Sequence, residues 1–165
     1  MLSQEQLKAK LKYDPLTGLF TVHSAIGSRG RKIGGRLAGG VNKVNGYVEI
    51  WVNGKSYTGH RLAFLYMTGK FPDSGVDHFD LNRSNNKWEN LRVASQLQNT
   101  WNMPVQKSNT SGFKGVSKRK DTGKWTARIK HNNSYVSLGC FDRIEDAAIA
   151  YKTIAVQLRG EFARC

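Results

Sequence analysis

Residues 76–99, VDHFDLNRSNNKWENLRVASQLQN, decide how this chain is read. VDHF and LRVA alternate in the manner of two short strands, and the polar stretch between them is rich in Asn and Asp, which close loops through their own side chains. SQLQNTWNM follows with Ser95 placed as the N-cap of a helix. The expectation is therefore strand, loop, strand, helix. Inside that frame lie an adjacent pair, Asp77 and His78, and several asparagines. An imidazole with a pKa near 6.5 accepts a proton at neutral pH, while carboxylate and amide oxygens suit a hard ion such as Mg²⁺ or Mn²⁺. Those are the parts that metal-assisted hydrolysis of a phosphodiester needs. The ordinary alternatives are a capped turn with a surface histidine for Asp77 and His78, and loop fixation for Asn90.

Upstream, HRLAFLYMTG predicts a buried helix over residues 60–68, with Leu62, Phe64, Leu65 and Met67 on its apolar face and Gly69 as its stop. GYVEIWVNGKSYTGH alternates on both sides of Asn53-Gly54, the dipeptide suited to a tight hairpin turn. Residues 27–40, GSRGRKIGGRLAGG, are expected as a mobile basic loop, without the glycine patterns of nucleotide-binding loops. Arg29, Arg31, Lys32 and Arg36 there either touch phosphates or are simply solvated. At the start of the chain Ser3 and Gln6 make a capping box and Leu2 with Leu7 a hydrophobic staple. A helix over about residues 4–12, ended by Asp14-Pro15, then leads into TGLFTV as a strand.

Downstream, residues 103–112, MPVQKSNTSG, lose all periodicity and mark a boundary. GVSKRK, KWTARIK and YVSLGCF follow as three strands separated by turn-rich segments. A helix begins after Asp142, with Glu145 completing a second capping box. Its packing face is Ala147, Ala148, Ala150, Tyr151, Ile154, Ala155 and Leu158, and Gly160 ends it. Cys140 and Cys165 have no zinc spacing and imply no disulfide, and Cys140 is expected in the core.

A length of 165 residues with 39% hydrophobic content allows one ordinary domain or two small ones, each with a modest core. The net charge is +14, divided about equally between the parts before and after residue 106. Such a surface binds phosphate backbones by counterion release, although charge alone also fits anionic membranes and ribosomal RNA. No apolar run approaches the roughly 18 residues a membrane span needs, and the N-terminus lacks a signal-peptide core. A soluble cytoplasmic protein is expected.

From His60 to Asn99 the succession HRL, DHxDxN, NNxxxNLR and QN resembles HNH endonucleases of the phage and group I intron homing type. The resemblance implies a ββα-metal fold with His78 as general base and Asp77 and Asn99 as ligands of one divalent cation, Mg²⁺ or Mn²⁺. It makes Asn90 the residue that holds the loop and the His78 ring. Asn102 is a rival ligand near Asn99. Asp80, Asn82 and Asn85 or Asn86 brace the loop. His60 and Arg61 match the family's HR pair and approach phosphate, unless His60 caps the helix. Arg92 contacts a phosphate or makes an intradomain salt bridge.

Residues 111–162 resemble the apetala-two, or ethylene-response-factor, DNA-binding domain, in which a three-stranded sheet enters the major groove. Lys114, Arg119, Arg128 and Lys130 fall at matching positions, and Lys118, Lys120 and Lys124 add charge. Ser117 and Ser137 stand where the plant pattern has arginine and tryptophan, so base specificity does not carry over. Trp125 is retained and packs beneath the helix or touches DNA.

The whole reads as an α+β chain. Residues 1–103 form an HNH endonuclease domain with a ββα-metal core at about 74–103, residues 104–111 a linker, and residues 112–165 a DNA-binding domain with a three-stranded antiparallel sheet packed on one helix. The expected activity is metal-dependent hydrolysis of double-stranded DNA, as a site-directed nick by a homing-type monomer without a small-molecule cofactor. A catalytically inactive DNA-binding regulator and an RNA- or ribosome-binding protein are the alternatives.

Overall fold

The computed structural model describes residues 1–23 and 34–165. Arg29, Arg31 and Lys32, with most of the glycine-rich segment expected as a basic loop, lie outside the described residues. The chain divides into two compact units, Met1–Gln96 and Leu97–Cys165. Both mix α-helix with antiparallel sheet.

The first unit starts with helix α1 (Gln4–Lys10), whose capping box forms as expected. Gln6 N–H donates to Ser3 Oγ at 3.1 Å and Ser3 N–H to Gln6 Oε1 at 3.2 Å. Leu2 and Leu7 are both buried, as the staple requires. The helix is shorter than its periodicity suggested, because Leu11 turns extended and opens strand β1 (Leu11–Asp14), which pairs with β2 (Leu19–Val22). Leu11 and Tyr13 sit in the core on alternate positions of β1, a spacing that the preceding helical pattern masks. Asp14 therefore closes a hairpin turn, accepting from Leu16 N–H and Thr17 Oγ1.

Strands β3 (Gly40–Val41), β4 (Val48–Val52) and β5 (Lys55–Thr58) make a second sheet. Asn53 and Gly54 take φ of 53° and 73° at the β4–β5 turn, the left-handed geometry anticipated for this pair. Helix α2 (Gly59–Thr68) buries Leu62, Ala63, Phe64 and Leu65 and ends at Gly69 with φ 81°. Met67, expected on the same face, is exposed. Strands β6 (Gly75–His78) and β7 (Leu91–Ala94) pair with Asp77 opposite Arg92 and His78 opposite Leu91.

The loop between β6 and β7 is fastened to the rest of the unit. Tyr13 Oη donates to the Asn86 carbonyl at 2.7 Å, Trp88 N–H donates to the Pro15 carbonyl at 2.9 Å, and the Trp88 ring packs on Phe64 at 4.9 Å. Burial pushes the Tyr13 phenol up, and the Asp14 charge adds to this, so it remains a donor. Gly18, at φ 73°, lets the β1–β2 turn approach the backbone of Asn86 and Lys87 so closely that a Cβ there would collide with it.

The second unit begins with α3 (Gln96–Asn102), the helix foreseen after Ser95. Its sheet has the order β10-β9-β8, from β8 (Val116–Lys118), β9 (Trp125–His131) and β10 (Ser134–Phe141). Helix α4 (Ile144–Arg159) lays Ala147, Tyr151 and Ala155 against Val116, Ala127 and Ile129, with Ala148, Ala150, Ile154 and Trp125 packed around them. Trp125 thus takes the packing role. Leu158 does not join the face and is exposed.

Two expectations in this unit fail for identifiable reasons. The register slips between Ser137 and Gly139, so that Leu138 and Phe141 both reach the core while Cys140 pairs with Thr126 and is exposed. The bulge thereby turns Cys140 out of the core. The Asp142–Glu145 capping box is also absent, since α4 starts after Arg143 without a side-chain cap. Asp142 pairs with Lys124 at 3.0 Å, and Glu145 with Arg143 at 3.4 Å.

Gly18→Ala tests the anchoring of the β6–β7 loop. It meets both the left-handed penalty of about 1–2 kcal/mol and a backbone collision. Gly54→Ala, with the same φ of 73° and nothing within 4 Å, meets only the first. Urea unfolding should show Gly18→Ala to be the more damaging by about 1 kcal/mol or more. Equal losses would mean that the loop does not rest on the turn.

Candidate active site

The β6–β7 hairpin holds Asp77 and His78 side by side, both buried. Successive residues of a strand point to opposite faces, so the two side chains diverge. Arg92, across the ladder from Asp77, donates from Nε at 2.9 Å and from Nη2 at 2.8 Å to Asp77 Oδ2. The pair is nearly enclosed, with side chains 13% and 8% exposed, and the Arg92 guanidinium also lies 5.1 Å from the Phe79 ring centre. Arg92 therefore forms the intradomain salt bridge, the second of its two readings.

The His78 ring faces the interior. Its Nε2 lies 3.3 Å from Asn86 Oδ1, and its ring centre lies 5.2 Å from His60 and 5.9 Å from Tyr47. An amide oxygen only accepts, so the Nε2 atom facing it carries the proton and Nδ1 is the basic nitrogen. Burial holds the imidazolium of His78 below its ordinary pKa, against the opposing pull of Asn86, Asp80 and Asp77. The ring is therefore neutral at pH 7, the state of a proton acceptor.

Asn90 is the clamp of the loop. Its Nδ2 donates to Asp80 Oδ1 at 2.9 Å and to the Asn85 carbonyl at 2.8 Å, while its Oδ1 accepts from Asp80 N–H at 3.0 Å. Asp80 also accepts from Asn82 N–H and Asn85 Nδ2. Burial pushes the Asp80 carboxyl up, but these hydrogen bonds bring it below the usual carboxylate range. Asn82 and Asn85 cap the following turns through Ser84 and Lys87. The bracing expected of Asp80, Asn82 and Asn85 is thus present, and Asn86 does more than brace. It is buried between the His78 ring and Gly59, where a Cβ would stand 2.6 Å from Asn86 Nδ2.

His60 is buried rather than presented to solvent. Its Nε2 lies 3.1 Å from the hydroxyl of Thr58, the residue preceding α2. Burial first, then the nearby His78 and Arg61, hold its pKa down to about 3, so it brings no positive charge to a phosphate at neutral pH. Arg61 is exposed, with its guanidinium 5.5 Å from the Phe71 ring centre. Tyr47, which flanks both histidine rings, was not foreseen. Its position in the β4 hairpin says nothing about a contact with residues 13 and 31 positions further along.

Asn99 lies on α3, and its Oδ1 is a buried atom without a hydrogen-bond partner. An orphaned amide oxygen of this kind suits a hard cation. Asn102, the rival, accepts from Arg164 Nε at 3.2 Å. Among the described residues no group of three or more His, Cys, Asp and Glu side chains is placed to hold a metal. The carboxylate of Asp77 and the amide oxygen of Asn99 are each of the oxygen type that hard divalent cations take.

In the second unit Arg128 and Lys130 lie exposed on β9, and Lys118 is exposed at the end of β8. Arg119 and Lys120 follow β8 in the turn, where Arg119 pairs with Asp121. Lys114 precedes the strand, half-buried, and donates from Nζ to the Trp101 carbonyl at 2.9 Å.

The family described as HNH endonuclease matches residues 57–100, which include every residue of the hairpin site and Asn99. Protein 3.8 of Escherichia phage T7 is 38% identical over 89 residues, 54% of this chain and 73% of that protein. The chain belongs to the HNH endonuclease family. An uncharacterized HNH endonuclease of Acanthamoeba polyphaga mimivirus, L560, is 35% identical over 120 residues, 72% of this chain and 62% of that protein. An AP2-like ethylene-responsive transcription factor of Arabidopsis thaliana is 42% identical over 52 residues, 30% of this chain and 15% of that protein. Among solved structures, "DNA binding and cleavage by the HNH homing endonuclease I-HmuI" has 27% identity and a TM-score of 0.39. The match covers 55% of this chain and 49% of that one. No helix among the described residues is long and apolar enough to cross a membrane.

The buried His60 generates an acid-stability prediction. Its folded pKa of about 3 lies below the unfolded value near 6.5, so between those values the unfolded chain binds more protons. Its contribution is complete above about pH 6.5 and is lost as pH falls toward 3. His60→Phe should flatten that limb of the stability–pH curve, on the order of a few kcal/mol in denaturant unfolding. An unchanged acid limb would show that His60 is not buried in its neutral form.

Proposed function

We propose that this HNH family member is a divalent-metal-dependent endonuclease that hydrolyses phosphodiester bonds in double-stranded DNA and nicks one strand at a directed site. The observation that carries the reading is the His78 ring, buried, neutral and held with Nε2 on Asn86. His78 Nδ1 accepts the proton of the attacking water. Asn86 keeps the ring in the tautomer that leaves Nδ1 basic, and Asn90 keeps Asn86 in place by closing the loop on Asp80 and Asn85. Asp77, whose carboxylate Arg92 orients, would supply an oxygen ligand to the cation, and Asn99 Oδ1 is the second donor that the resemblance assigns. When bound, that cation offsets charge on the phosphate and the leaving oxygen.

The second unit binds the duplex and localises the cut. Support for this comes from the partial AP2-like similarity and from the exposed cations Lys118, Arg119, Lys120, Arg128 and Lys130 around the three-stranded sheet. Arg61 is the phosphate contact assigned to the first unit. One base and one cation per chain favour a single-strand cut by a monomer in the homing manner.

Supercoiled plasmid incubated with Mg²⁺ or Mn²⁺ should be converted to relaxed circles, and EDTA should stop the conversion. His78→Ala should slow it by about 10²–10⁴-fold, the usual worth of a general base. DNA that is bound yet stays supercoiled under every metal, with a specific target present, would make the protein an inactive DNA-binding regulator.

A further inference from the structure

The second unit contains a cavity of about 570 Å³ that the nuclease reading does not use. Its size falls within the roughly 300–1,000 Å³ of small-molecule sites. Four cationic residues, Lys114, Arg128, Lys130 and Arg159, line it together with Trp101 and Tyr135, and no Asp or Glu is among the described lining residues. Three of the four cations are held by neutral groups. Lys114 Nζ donates to the Trp101 carbonyl, and Arg159 donates from Nη1 to Tyr151 Oη at 3.0 Å and from Nη2 to the Lys130 carbonyl at 3.5 Å. The Arg128 guanidinium lies 4.9 Å from the Tyr135 ring centre, and that of Arg159 lies 5.2 Å from Trp101.

This leaves a concentration of positive charge with no Asp or Glu side chain in the lining, opposed at Lys114 only by Cys165 at the C-terminus. Lys114 registers the imbalance, because burial and then the Arg159 charge hold its ammonium below the ordinary range. An anion in the cavity would relieve both. The aromatic lining adds a second requirement. Tyr135 is 66% exposed, a large ring kept at the surface with a planar guanidinium beside it. Aromatic rings and guanidinium planes are the surfaces on which unstacked bases rest, and each base so stacked strengthens binding by roughly fivefold to more than a hundredfold. A duplex offers phosphates to such a cavity but keeps its bases stacked within the helix.

We propose that this cavity receives one unpaired nucleotide of a DNA strand, with the base on Tyr135 and Arg128 and the phosphate among Lys114, Lys130 and Arg159. The inference rests on the reading of the second unit as DNA-binding, and it gives Arg128 and Lys130, already assigned to the duplex, a second ligand in the cavity. Arg159 is carried on α4 and Tyr135 on β10. Neither belongs to the set assigned to the duplex or to the hairpin site.

The test uses the full chain in EDTA, with fluorescence anisotropy of a labelled eight-residue oligothymidylate and, separately, of a labelled duplex. Tyr135→Leu and Arg159→Gln should each weaken oligothymidylate binding by about fivefold or more and duplex binding by less than about twofold. Urea midpoints confirm that each variant is folded. Thymidine 5′-monophosphate separates the two sources of this chemistry: displacement of the oligomer at millimolar concentration assigns the site to free nucleotides, and no displacement assigns it to a strand. Oligomer binding unchanged in both folded variants overturns the proposal. Equal losses on oligomer and duplex overturn it too, by returning these residues to the duplex surface. If the wild-type chain binds neither DNA, the reading of the unit as DNA-binding falls with it.

Discussion

The Asn90 side chain is the constraint on which the candidate site depends. One amide closes the twelve-residue connection between β6 and β7 by bonding to the Asp80 carboxylate, the Asp80 N–H and the Asn85 carbonyl. Asn86 follows Asn85 directly, so closing the loop also places the group that meets the His78 ring. The other end of the restraint is tertiary. Tyr13 and Pro15 reach the same loop from the first hairpin, and Gly18 removes the side chain that would keep them apart. A two-strand hairpin is too small to hold a buried imidazole by itself. Here the surrounding unit supplies the missing rigidity, which is the arrangement that precise positioning of a reactive group requires.

Much of the fold was legible because local chemistry dictated it. Asn53-Gly54 specified its turn, Ser3 and Gln6 their cap, and Gly69 the end of α2, each through interactions only a few residues long. Where two local rules competed, the sequence misled. The apolar spacing through Leu11 continues the rhythm of α1, yet the alternation of Leu11 and Tyr13 belongs to a strand that pairs with β2. Asp142 and Glu145 have the spacing of a cap, but Lys124 and Arg143 engage them instead. The bulge between Ser137 and Gly139 is marked in the sequence only by that glycine, which takes φ 122°, and it turns Cys140 outward.

The site was legible in its residues more than in its contacts. Asp77, His78 and Asn90 are recognisable by type and spacing, and the loop-bracing role of Asp80 follows from what Asn and Asp side chains do in turns. The burial of His60 and the approach of Tyr47 and Asn86 to His78 join segments far apart in the chain. Nothing local encodes them. They also change the meaning of a residue, since a histidine that seemed suited to phosphate becomes a neutral wall beside the His78 ring.

The bridge between Arg92 and Asp77 has a bearing on how such a protein is made. A buried carboxylate without a partner would oppose folding until a counter-ion arrived. Here the opposite strand of the same hairpin carries the balancing charge. The hairpin thus closes with the charge of Asp77 already balanced from within, and its assembly calls on no outside counter-ion.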